Sequence, residues 1–270
     1  MSELYRHPDD YDLEHLGHDE DVEFYLSLVR RLRPKRILEL GCGTGRVTIP
    51  LAQLGAKLGF SVIGLDSQPE MLERAGRRRM HCRAAIRQRV KLVQGDMRSW
   101  TTAAKFDLIV IPCSSVTHVL RLEDQIALWR NAWHNLRAGG RFLVEVMMPD
   151  IAAFAGSCGA SPRVPIEVDL DNQDDADGIR MIRRKTTRYL SHEQRAEIRF
   201  MYEKYRWGQA IGSFIDDFNS HVFFPRELHL LFIHTGFKIE ATCGDYRGRP
   251  LRPDSSLIIM TGVKATRRTD

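Results

Sequence analysis

A short apolar strand that runs directly into a glycine-rich turn constrains this chain more than any other feature. Residues 37–46 read Ile-Leu-Glu-Leu-Gly-Cys-Gly-Thr-Gly-Arg, with glycines at 41, 43 and 45. A turn of this kind lets the backbone approach a bound nucleotide closely. Arg46 stands where a nicotinamide-binding fingerprint has its third glycine or an alanine, and the carboxylate of Glu39 would repel a pyrophosphate. The segment therefore predicts a nucleotide cofactor with a cationic tail.

A second apolar strand ends on a carboxylate at a suitable distance from the glycines. Residues 61–66 read Ser-Val-Ile-Gly-Leu-Asp, and the strand stops at Asp66. In nucleotide-binding folds a carboxylate about 20 residues or slightly more after the glycines commonly holds the ribose hydroxyls. Ser67 and Pro69 then begin a helix that carries Met71. The alternative is that Asp66 caps this helix, and the two roles are compatible.

Together these segments resemble the first motifs of class I S-adenosylmethionine-dependent methyltransferases, in the small-molecule, N-methyltransferase-like branch. The resemblance covers about residues 20–264 apart from an insertion, and it implies S-adenosyl-L-methionine as the cofactor. It also places Asp96 against the adenine amino group, with Met97 over the ring; an ordinary turn aspartate is the alternative. The implied cofactor-binding residues are Tyr11, Glu39, Gly41, Cys42, Gly43, Arg46, Asp66, Ser67, Met71, Asp96, Met97 and Ile111.

Further apolar runs complete the predicted sheet. Residues 106–111 are almost wholly apolar, as in a strand buried on both faces, and the loop that follows should border the transferred methyl group. A glycine turn and a fifth strand occupy 136–146, and a proline-started helix at 224–237 precedes two strands expected to form a hairpin. The expected fold class is α/β: a Rossmann-like, seven-stranded, mostly parallel sheet with an antiparallel terminal hairpin and a small antiparallel β cap inserted after strand five.

The insertion, residues 150–220, interrupts the alternation of strands and helices and is where we expect substrate choice to lie. Residues 179–189 and 196–207 are rich in β-branched and aromatic side chains and predict two antiparallel strands. The acidic stretch 169–177 is expected to be a surface loop. For the arginines of these strands, solvated charge is favoured over carboxylate binding; they are Arg183, Arg184, Arg199 and Arg206. The expected domains are a core of 1–149 and 221–270, with 1–19 as a mobile lid, and the cap at 150–220.

Three residues are candidates for orienting an acceptor or handling its proton. The Tyr11-Asp12 pair, ahead of a helix that carries Asp21, is similar to the opening of small-molecule methyltransferases that fold this segment as a lid. An amine acceptor must arrive neutral, so a nearby proton acceptor or polar contact is useful. We expect Tyr5, Tyr11 and His118 in these catalytic roles. The alternatives are a mobile surface tail for the tyrosines and, for His118, a histidine packed beside the cofactor without proton chemistry.

Composition narrows the classes of partner. The formal charge is +5, and the basic residues between Arg74 and Lys91 lack interleaved aromatic side chains that would stack bases, so a nucleic-acid partner is not favoured. The five cysteines, Cys158 among them, show no paired short spacing, which argues against disulfides and zinc. With only Glu145 and Asp150 near the strand ends, we predict no metal. Because the sequence shows neither a leader nor a membrane span, we expect the protein in the cytoplasm. We expect it to act on a small molecule, and a homo-oligomer is possible.

The same residues leave other functions open. The Arg-rich segment is compatible with an RNA methyltransferase, and the cofactor fold is compatible with transfer or cyclisation of the aminocarboxypropyl group. A non-catalytic cofactor-binding protein would retain the same pocket. Fold alone does not decide among them, but the favoured reading is in-line methyl transfer to a small-molecule amine.

Overall fold

The computed structural model describes residues 3–156 and 164–265. The chain divides into two compact units: Met1–His18 with Pro149–Val222, and Asp19–Met148 with Phe223–Asp270. We call the first the cap unit and the second the sheet unit. Cys158, residues 157–163 of the predicted insertion and the first two residues of the predicted lid lie outside the described residues.

Helices flank the strands in both units. The predicted helix that carries Asp21 runs from Glu20 to Leu32 and is capped by Arg33, whose backbone is left-handed with φ of 52°. Short 3-10 turns lie at Glu3–Arg6, Ser115–His118 and Ser191–Glu193. The α-helices are α1 (Pro8–Glu14), α2 (Glu20–Leu32), α3 (Thr48–Leu58), α4 (Pro69–Met80), α5 (Ala84–Arg87), α6 (Leu122–Asn135), α7 (Ile151–Gly156) and α8 (Pro225–His234).

The strands form two separate sheets. Those of the sheet unit are β1 (Arg36–Leu40), β2 (Ser61–Asp66), β3 (Val90–Gln94), β4 (Phe106–Ile111), β5 (Leu136–Met147), β10 (Phe237–Cys243) and β11 (Leu257–Lys264). Those of the cap unit are β6 (Glu167–Asp174), β7 (Ile179–Leu190), β8 (Arg195–Arg206) and β9 (Gln209–His221).

The sheet unit has the predicted architecture. Its strand order is β10-β11-β5-β4-β1-β2-β3. Neighbouring strands in the series β5-β4-β1-β2-β3 pair in parallel, whereas β11 pairs antiparallel with both β5 and β10. The α/β class, the mostly parallel seven-stranded sheet and the terminal hairpin are thereby confirmed. The carboxyl ends of β1, β2 and β4 lie side by side, which brings their following loops together.

Apolar side chains cover both faces of this sheet. On one face Trp129 of α6 packs edge-on to Phe142 of β5 and Phe232 of α8, with ring centroids 5.6 and 5.7 Å apart. On the other face Tyr25 and Val29 of α2 pack in a second cluster of buried residues. Burial on both faces explains why the parallel strands read as nearly continuous apolar runs.

The cap unit contains a four-stranded antiparallel sheet in the order β6-β7-β8-β9. This sheet confirms the predicted cap after strand five, with two strands more than the sequence suggested. On its apolar face Met181 and Tyr202 are buried together with Leu4, and the side chains of Tyr11 and Leu13 pack against this cluster. The amino-terminal segment thus packs within the cap unit.

The prediction of a surface loop at 169–177 is wrong over most of its length. Residues 167–174 form β6, which pairs antiparallel with β7 from Glu167↔Lys185 to Asp174↔Ile179. Its acidic side chains face basic ones across the strands, since Asp171 accepts hydrogen bonds from Arg180 and Asp169 from Arg183. Opposite charges on paired strands stabilise a sheet. The acidic segment therefore forms a strand because it pairs with the arginines of β7.

The interpretation of Arg183 as solvated charge is also wrong. Its side chain is only 12% exposed and forms ion pairs with Glu14 and Asp169. Its guanidinium also lies 4.0 Å from the centroid of the Phe200 ring. Arg199, by contrast, is about half exposed and pairs with Asp217, in agreement with the prediction for a solvated strand face.

Among the helices of residues 3–156 and 164–265, we find no stretch long and apolar enough to cross a membrane.

Candidate active site

The glycine-rich turn follows β1 and is tied to the end of β2. The backbone N–H groups of Gly41 and Cys42 donate to the carbonyl of Leu65 at 2.8 and 3.0 Å. Gly41 has φ of +73°, and a Cβ built there would lie 2.9 Å from the Cβ of Ser115. Position 41 therefore requires glycine both for its backbone conformation and for the close approach of the strand-four loop.

Asp66 lies directly against this turn. One oxygen of its carboxylate accepts the Gly43 N–H at 2.7 Å, and the other accepts the Gln68 N–H at 2.9 Å. Burial raises the pKa of Asp66, against these backbone hydrogen bonds, which lower it. The helix cap itself is Gln68. The acid that the sequence predicted at the end of the second strand thus meets the glycine turn, and its oxygens keep further lone pairs for another donor.

Glu39 is buried in β1, with 2% of its surface exposed. Its carboxyl accepts the Thr48 hydroxyl at 2.5 Å, and burial raises its pKa to about 8. Close to it, Cys42 is buried as well, and burial raises the pKa of this thiol well above its ordinary value. Both side chains are therefore buried next to the glycine-rich turn, with the Glu39 carboxyl hydrogen-bonded to Thr48 at the start of α3.

Arg46 belongs to a buried polar cluster that the sequence did not suggest. Its guanidinium forms an ion pair with Asp21 of α2, where the two side chains are 13% and 7% exposed, and it also donates to the Cys113 sulfur at 2.7 Å. Burial would raise the pKa of Asp21, but the hydrogen bonds and charge of Arg46 lower it overall. The thiol of Cys113 donates to the same carboxylate at 3.2 Å. The cluster links α2, the glycine turn and the strand-four loop.

The strand-four loop has an unusual backbone. Cys113 and Ser114 both have positive φ, 53° and 55°, although neither is a glycine. Such conformations are uncommon for residues with side chains and persist where neighbouring interactions hold them. Ile111, the last residue of β4, is fully buried in the core. The loop, rather than the Ile111 side chain, borders the glycine turn.

Asp96 and Met97 follow β3 in a turn. The Asp96 carboxylate accepts the Arg98 N–H at 2.8 Å and forms an ion pair with the Arg98 guanidinium. Hydrogen bonds from Arg98 lower the pKa of Asp96. Met97 is partly buried, and its terminal carbon lies 3.6 Å from the Cβ position of Gly41. The structure thus brings Met97 to the glycine turn, while Asp96 has a turn role of the kind given as the alternative.

The remaining predicted site residues lie in different surroundings. Ser67 is exposed just after β2, Met71 is buried on α4, and His118 is exposed at the end of the 3-10 turn after the strand-four loop. Tyr5 and Tyr11 belong to the cap unit, where their ring centroids are 6.2 Å apart. The Tyr11 ring also packs against that of His15, with 4.2 Å between the ring centroids and 31° between the planes.

Sequence reasoning missed a buried carboxylate behind the strand-four loop. Glu145, in the apolar strand β5, accepts hydrogen bonds from the hydroxyls of Tyr25 and Tyr246. A glutamate within an otherwise apolar strand was the available signal, because a buried carboxylate requires partners. Within the described ranges, no group of three or more histidine, cysteine or acidic side chains could hold a metal ion.

A scan against protein families agrees with this geometry. Residues 37–140 match a family model described as a methyltransferase domain. The matched segment contains the glycine turn, Asp66, the Asp96 turn and the strand-four loop.

Curated relatives are all matched over part of their length. The chain is 34% identical over 112 residues to the putative methyltransferase YqeM of Bacillus subtilis, covering 41% of this chain and 42% of the relative. It is 32% identical over 111 residues to trans-aconitate 2-methyltransferase of Deinococcus radiodurans, covering 41% and 37%. It is 31% identical over 145 residues to dTDP-3-amino-3,4,6-trideoxy-alpha-D-glucopyranose N,N-dimethyltransferase of Streptomyces venezuelae, covering 52% and 56%. The chain spans about half the length of the relatives it matches, or less.

Solved structures are similar over nearly the whole chain. DesVI of Streptomyces venezuelae has a TM-score of 0.72 at 24% identity, covering 96% of this chain and 98% of DesVI. The sugar N-methyltransferase KedS8 of Streptoalloteichus sp ATCC 53650 has a TM-score of 0.69 at 17% identity, covering 98% and 94%. These likenesses show the fold, including a cap of this kind. The domain match shows a methyltransferase domain over residues 37–140, and two neighbours with the same fold, CalS10 and MtfA, were solved with S-adenosyl-L-methionine bound.

Proposed function

We propose that this chain is a class I S-adenosylmethionine-dependent methyltransferase that transfers a methyl group to an amine nitrogen of a small molecule. The observation that carries the proposal is the extent of the fold likeness. The sequence match ends at residue 140, but the likeness to a sugar N-methyltransferase covers 98% of the chain and so includes the cap unit. A curated relative named as an N,N-dimethyltransferase of an amino sugar nucleotide supports the same acceptor class.

The residues around the glycine turn fit the cofactor in hydrogen-bonding capacity. We propose that Asp66 binds the ribose hydroxyls, since each of its oxygens accepts one backbone N–H and has lone pairs to spare. The turn at Gly41 and Gly43 gives a surface without side chains, beside Met97. The other proposed cofactor-binding residues are Tyr11, Glu39, Cys42, Arg46, Ser67, Met71, Asp96 and Ile111.

Little covalent chemistry is asked of the protein. S-adenosylmethionine supplies a methyl group on a positively charged sulfur. The thioether that leaves when this methyl group is transferred is neutral. The chain's own contribution is to hold the acceptor in line, and positioning of this kind supplies roughly 7 to 11 kcal/mol in favourable systems. We keep Tyr5, Tyr11 and His118 as candidates for orienting an amine or accepting its proton. Wild-type turnover in Tyr11→Phe or His118→Ala would remove that residue from the set.

The decisive test of the function is the fate of a labelled methyl group. Purified protein is incubated with methyl-labelled S-adenosylmethionine and extract of the source cells, and the label is separated into metabolites, RNA and protein. Label in a metabolite, with S-adenosylhomocysteine as co-product, is the expected result. Label confined to RNA or protein would contradict the small-molecule proposal. Methylthioadenosine as co-product would indicate aminocarboxypropyl transfer, and cofactor binding without any transfer would favour a non-catalytic binder.

A carboxylate acceptor is a second candidate, because several curated relatives are named trans-aconitate 2-methyltransferases. The two acceptors differ in the stability of their products. A methyl ester loses its label as methanol in mild base, whereas an N-methyl group does not. Base treatment of the labelled metabolite therefore distinguishes the candidates, and release of methanol would overturn the amine assignment.

The cofactor site can be tested without knowing the acceptor. At Gly41 an added methyl group would meet Ser115, whereas at Gly59, with φ of +86°, it would meet no atom within 4 Å. We expect Gly41→Ala to abolish detectable binding of S-adenosylhomocysteine in calorimetry, and Gly59→Ala to retain it, since only the first change obstructs the turn. Equal binding by both variants would contradict a cofactor site at this turn.

Other assignments stay predictions. They are the lid role of residues 1–19, the substrate-cap role of 150–220, the cytoplasmic location, the lack of a metal and of a nucleic-acid partner, and a homo-oligomer.

A further inference from the structure

A groove runs along one edge of the seven-stranded sheet. Strand β3 is the last in the strand order, so no other strand of the described residues pairs with its outer side. Beside this edge lies an open groove with a volume of about 650 Å³, lined by residues of α4, α5 and β3. We call it the edge groove. None of the residues that we assign to the cofactor lines it.

The backbone of β3 presents hydrogen-bonding groups to the edge groove. The carbonyl of Arg89 accepts the N–H of Val62 on β2 at 2.8 Å, which identifies the residues whose backbone groups face β2. Because successive residues of a strand direct these groups to alternate sides, those of Leu92 and Gln94 point outward. Both residues line the groove. An extended chain lying there would find donors and acceptors in the spacing of a neighbouring strand.

The α4 side of the groove contains a glycine that the fold itself does not require. Gly76 lies in the interior of α4, on the same stripe as Leu72 and Arg79, and lines the groove with them. A methyl group added there would meet no described atom beyond its own helix within 4 Å. Glycine in a helix interior is less favourable than alanine, because its backbone loses more freedom on folding. Neither packing nor helix stability therefore accounts for Gly76, but its missing side chain widens the groove.

The surface around the groove is strongly basic. Residues 74–91 contain eight arginines and lysines and no aspartate or glutamate, whereas the formal charge of the whole chain is only +5. Arg87 and the exposed Lys91 belong to the lining. Glu73 also belongs to it, and its carboxylate lies 3.4 Å from the guanidinium of Arg77. Positive charge concentrated in this way attracts an acidic partner.

The lining favours a peptide over a nucleic acid. Leu72, Val90 and Leu92 give it an apolar part, and none of the described residues that line it is aromatic, so bases would have no ring to stack on. The guanidinium groups of Arg79 and Arg87 donate to backbone carbonyls of the chain at 3.2 and 2.8 Å. Backbone pairing along a strand edge is available to a polypeptide and not to RNA.

We propose that the edge groove binds an extended, acidic segment of another protein, which pairs with β3 as an additional strand and passes over Gly76. The backbone of the segment pairs with Leu92 and Gln94, and its acidic side chains meet Lys91 and the surrounding arginines. This binding is additional to the proposed function and does not depend on methyl transfer.

The experiment measures the binding of a synthetic probe to the full chain. The probe is a labelled eight-residue peptide of alternating glutamate and valine, followed by fluorescence anisotropy. We expect saturable binding that weakens as salt is added, because exposed charges are screened. The same peptide with alternate backbone nitrogens methylated keeps its charge but cannot pair with a strand. It should bind about tenfold more weakly, as expected for the loss of one or two backbone hydrogen bonds.

Four variants test the two sides of the groove. Gly76→Leu fills it from α4 and should abolish detectable binding, whereas Gly76→Ala should raise the melting temperature by about 2 °C. Lys91→Glu should weaken binding about fivefold, the size expected for an exposed ion pair. Lys238→Glu is the matched control, because it makes the same change of charge at an exposed residue of β10, the opposite edge of the sheet, and should bind as the wild type does.

Several results would overturn the proposal. These are no binding of the peptide, equal binding of its methylated form, or unchanged affinity in a folded Gly76→Leu. Tighter binding of a single-stranded RNA of equal charge, unaffected by Gly76→Leu, would indicate a nucleic-acid surface instead. A wild-type dimer in sedimentation equilibrium that is lost in Gly76→Leu would assign the groove to a second copy of this chain. If circular dichroism shows that Gly76→Leu does not fold, equal affinities of Lys91→Glu and Lys238→Glu overturn the proposal.

Discussion

The sheet unit and the cap unit are held together by different interactions. The strands of the sheet unit are covered on both faces, and its core contains large apolar side chains such as Trp129 and Phe142, neither of which is exposed. In the described part of the cap unit, the buried cluster is small and consists of Leu4, Leu170, Met181 and Tyr202.

Charge replaces apolar burial in the cap. Arginines of its strands pair with acids on neighbouring strands, as in Arg180 with Asp171 and Arg199 with Asp217. Such exposed pairs contribute little individually and are screened by salt. The sheet of the sheet unit is thus stabilised mainly by buried apolar side chains. The sheet of the cap unit depends on a few buried contacts and on ion pairs between neighbouring strands.

The largest effect is expected in the core of the sheet unit. Phe142→Ala leaves a cavity among Trp129, Phe232 and Phe237, and should lower the free energy of unfolding by about 3 to 5 kcal/mol. Urea denaturation followed by circular dichroism measures the change. Leu230→Ala, at a side chain on α8 that is 60% exposed, serves as the control and should cause only a small change. Similar losses in both variants would contradict the claim that core volume dominates.

The next effect is expected at Arg183, a cap-strand arginine whose side chain is only 12% exposed. Arg183→Met leaves Glu14 and Asp169 without their cation, and should cost about 3 kcal/mol, at the low end for breaking a buried pair because Glu14 can take up a proton. Hydrogen exchange of the cap strands locates the loss. In Arg199→Met, at the exposed pair with Asp217, we expect no measurable change. Equal protection loss in both would show that burial of Arg183 is not what matters.

Substitutions at one glycine in each sheet test how tightly the two sheets are packed. At Gly262 of β11 an added methyl group would overlap the Phe232 ring, whereas at Gly212 of β9 nothing lies within 4 Å. Overpacking should make Gly262→Ala less stable by about 1 to 3 kcal/mol. Gly212→Ala should be neutral or slightly stabilising, because alanine loses less backbone freedom on folding. Melting temperatures of the two variants test this, and destabilisation by Gly212→Ala would show that the cap is packed more tightly than the structure indicates.

The last prediction concerns pH, and it is measured as a change in slope and not as a single loss of stability. Burial raises the pKa of Glu39 to about 8, so the folded protein binds more protons than the unfolded chain between about pH 4.5 and 8. Stability without cofactor should consequently fall as the pH rises through this window. Glu39→Gln should flatten the decline, with a melting temperature about 2 °C or more above that of the wild type at pH 8. A steeper decline in the variant would contradict the assignment, and Glu240→Gln, at an exposed carboxylate, should leave the profile unchanged.

Much of the sheet unit could be predicted because its signals are local. Continuous apolar runs identify β1, β2 and β4, and a glycine turn next to an acid-terminated strand led to Gly43 and Asp66, which the structure brings within 2.7 Å. The cap was harder. Residues 167–174 are an acidic run with weak strand character, and only pairing with the arginines of β7 makes them a strand.

The sequence by itself determined the strands of the sheet unit, the glycine-rich turn and the carboxylate that meets it, because each depends on residues close together in the chain. Only the tertiary structure decided which polar groups share the interior. Tyr25 and Tyr246 reach Glu145 across 120 and 101 residues, and Asp21 of α2 reaches Arg46 and Cys113 in two separate loops. Local periodicity marks such residues as buried or exposed but carries no information on their partners. The partners are set by how the strands and helices pack, and a buried carboxylate is stable only where that packing supplies its donors.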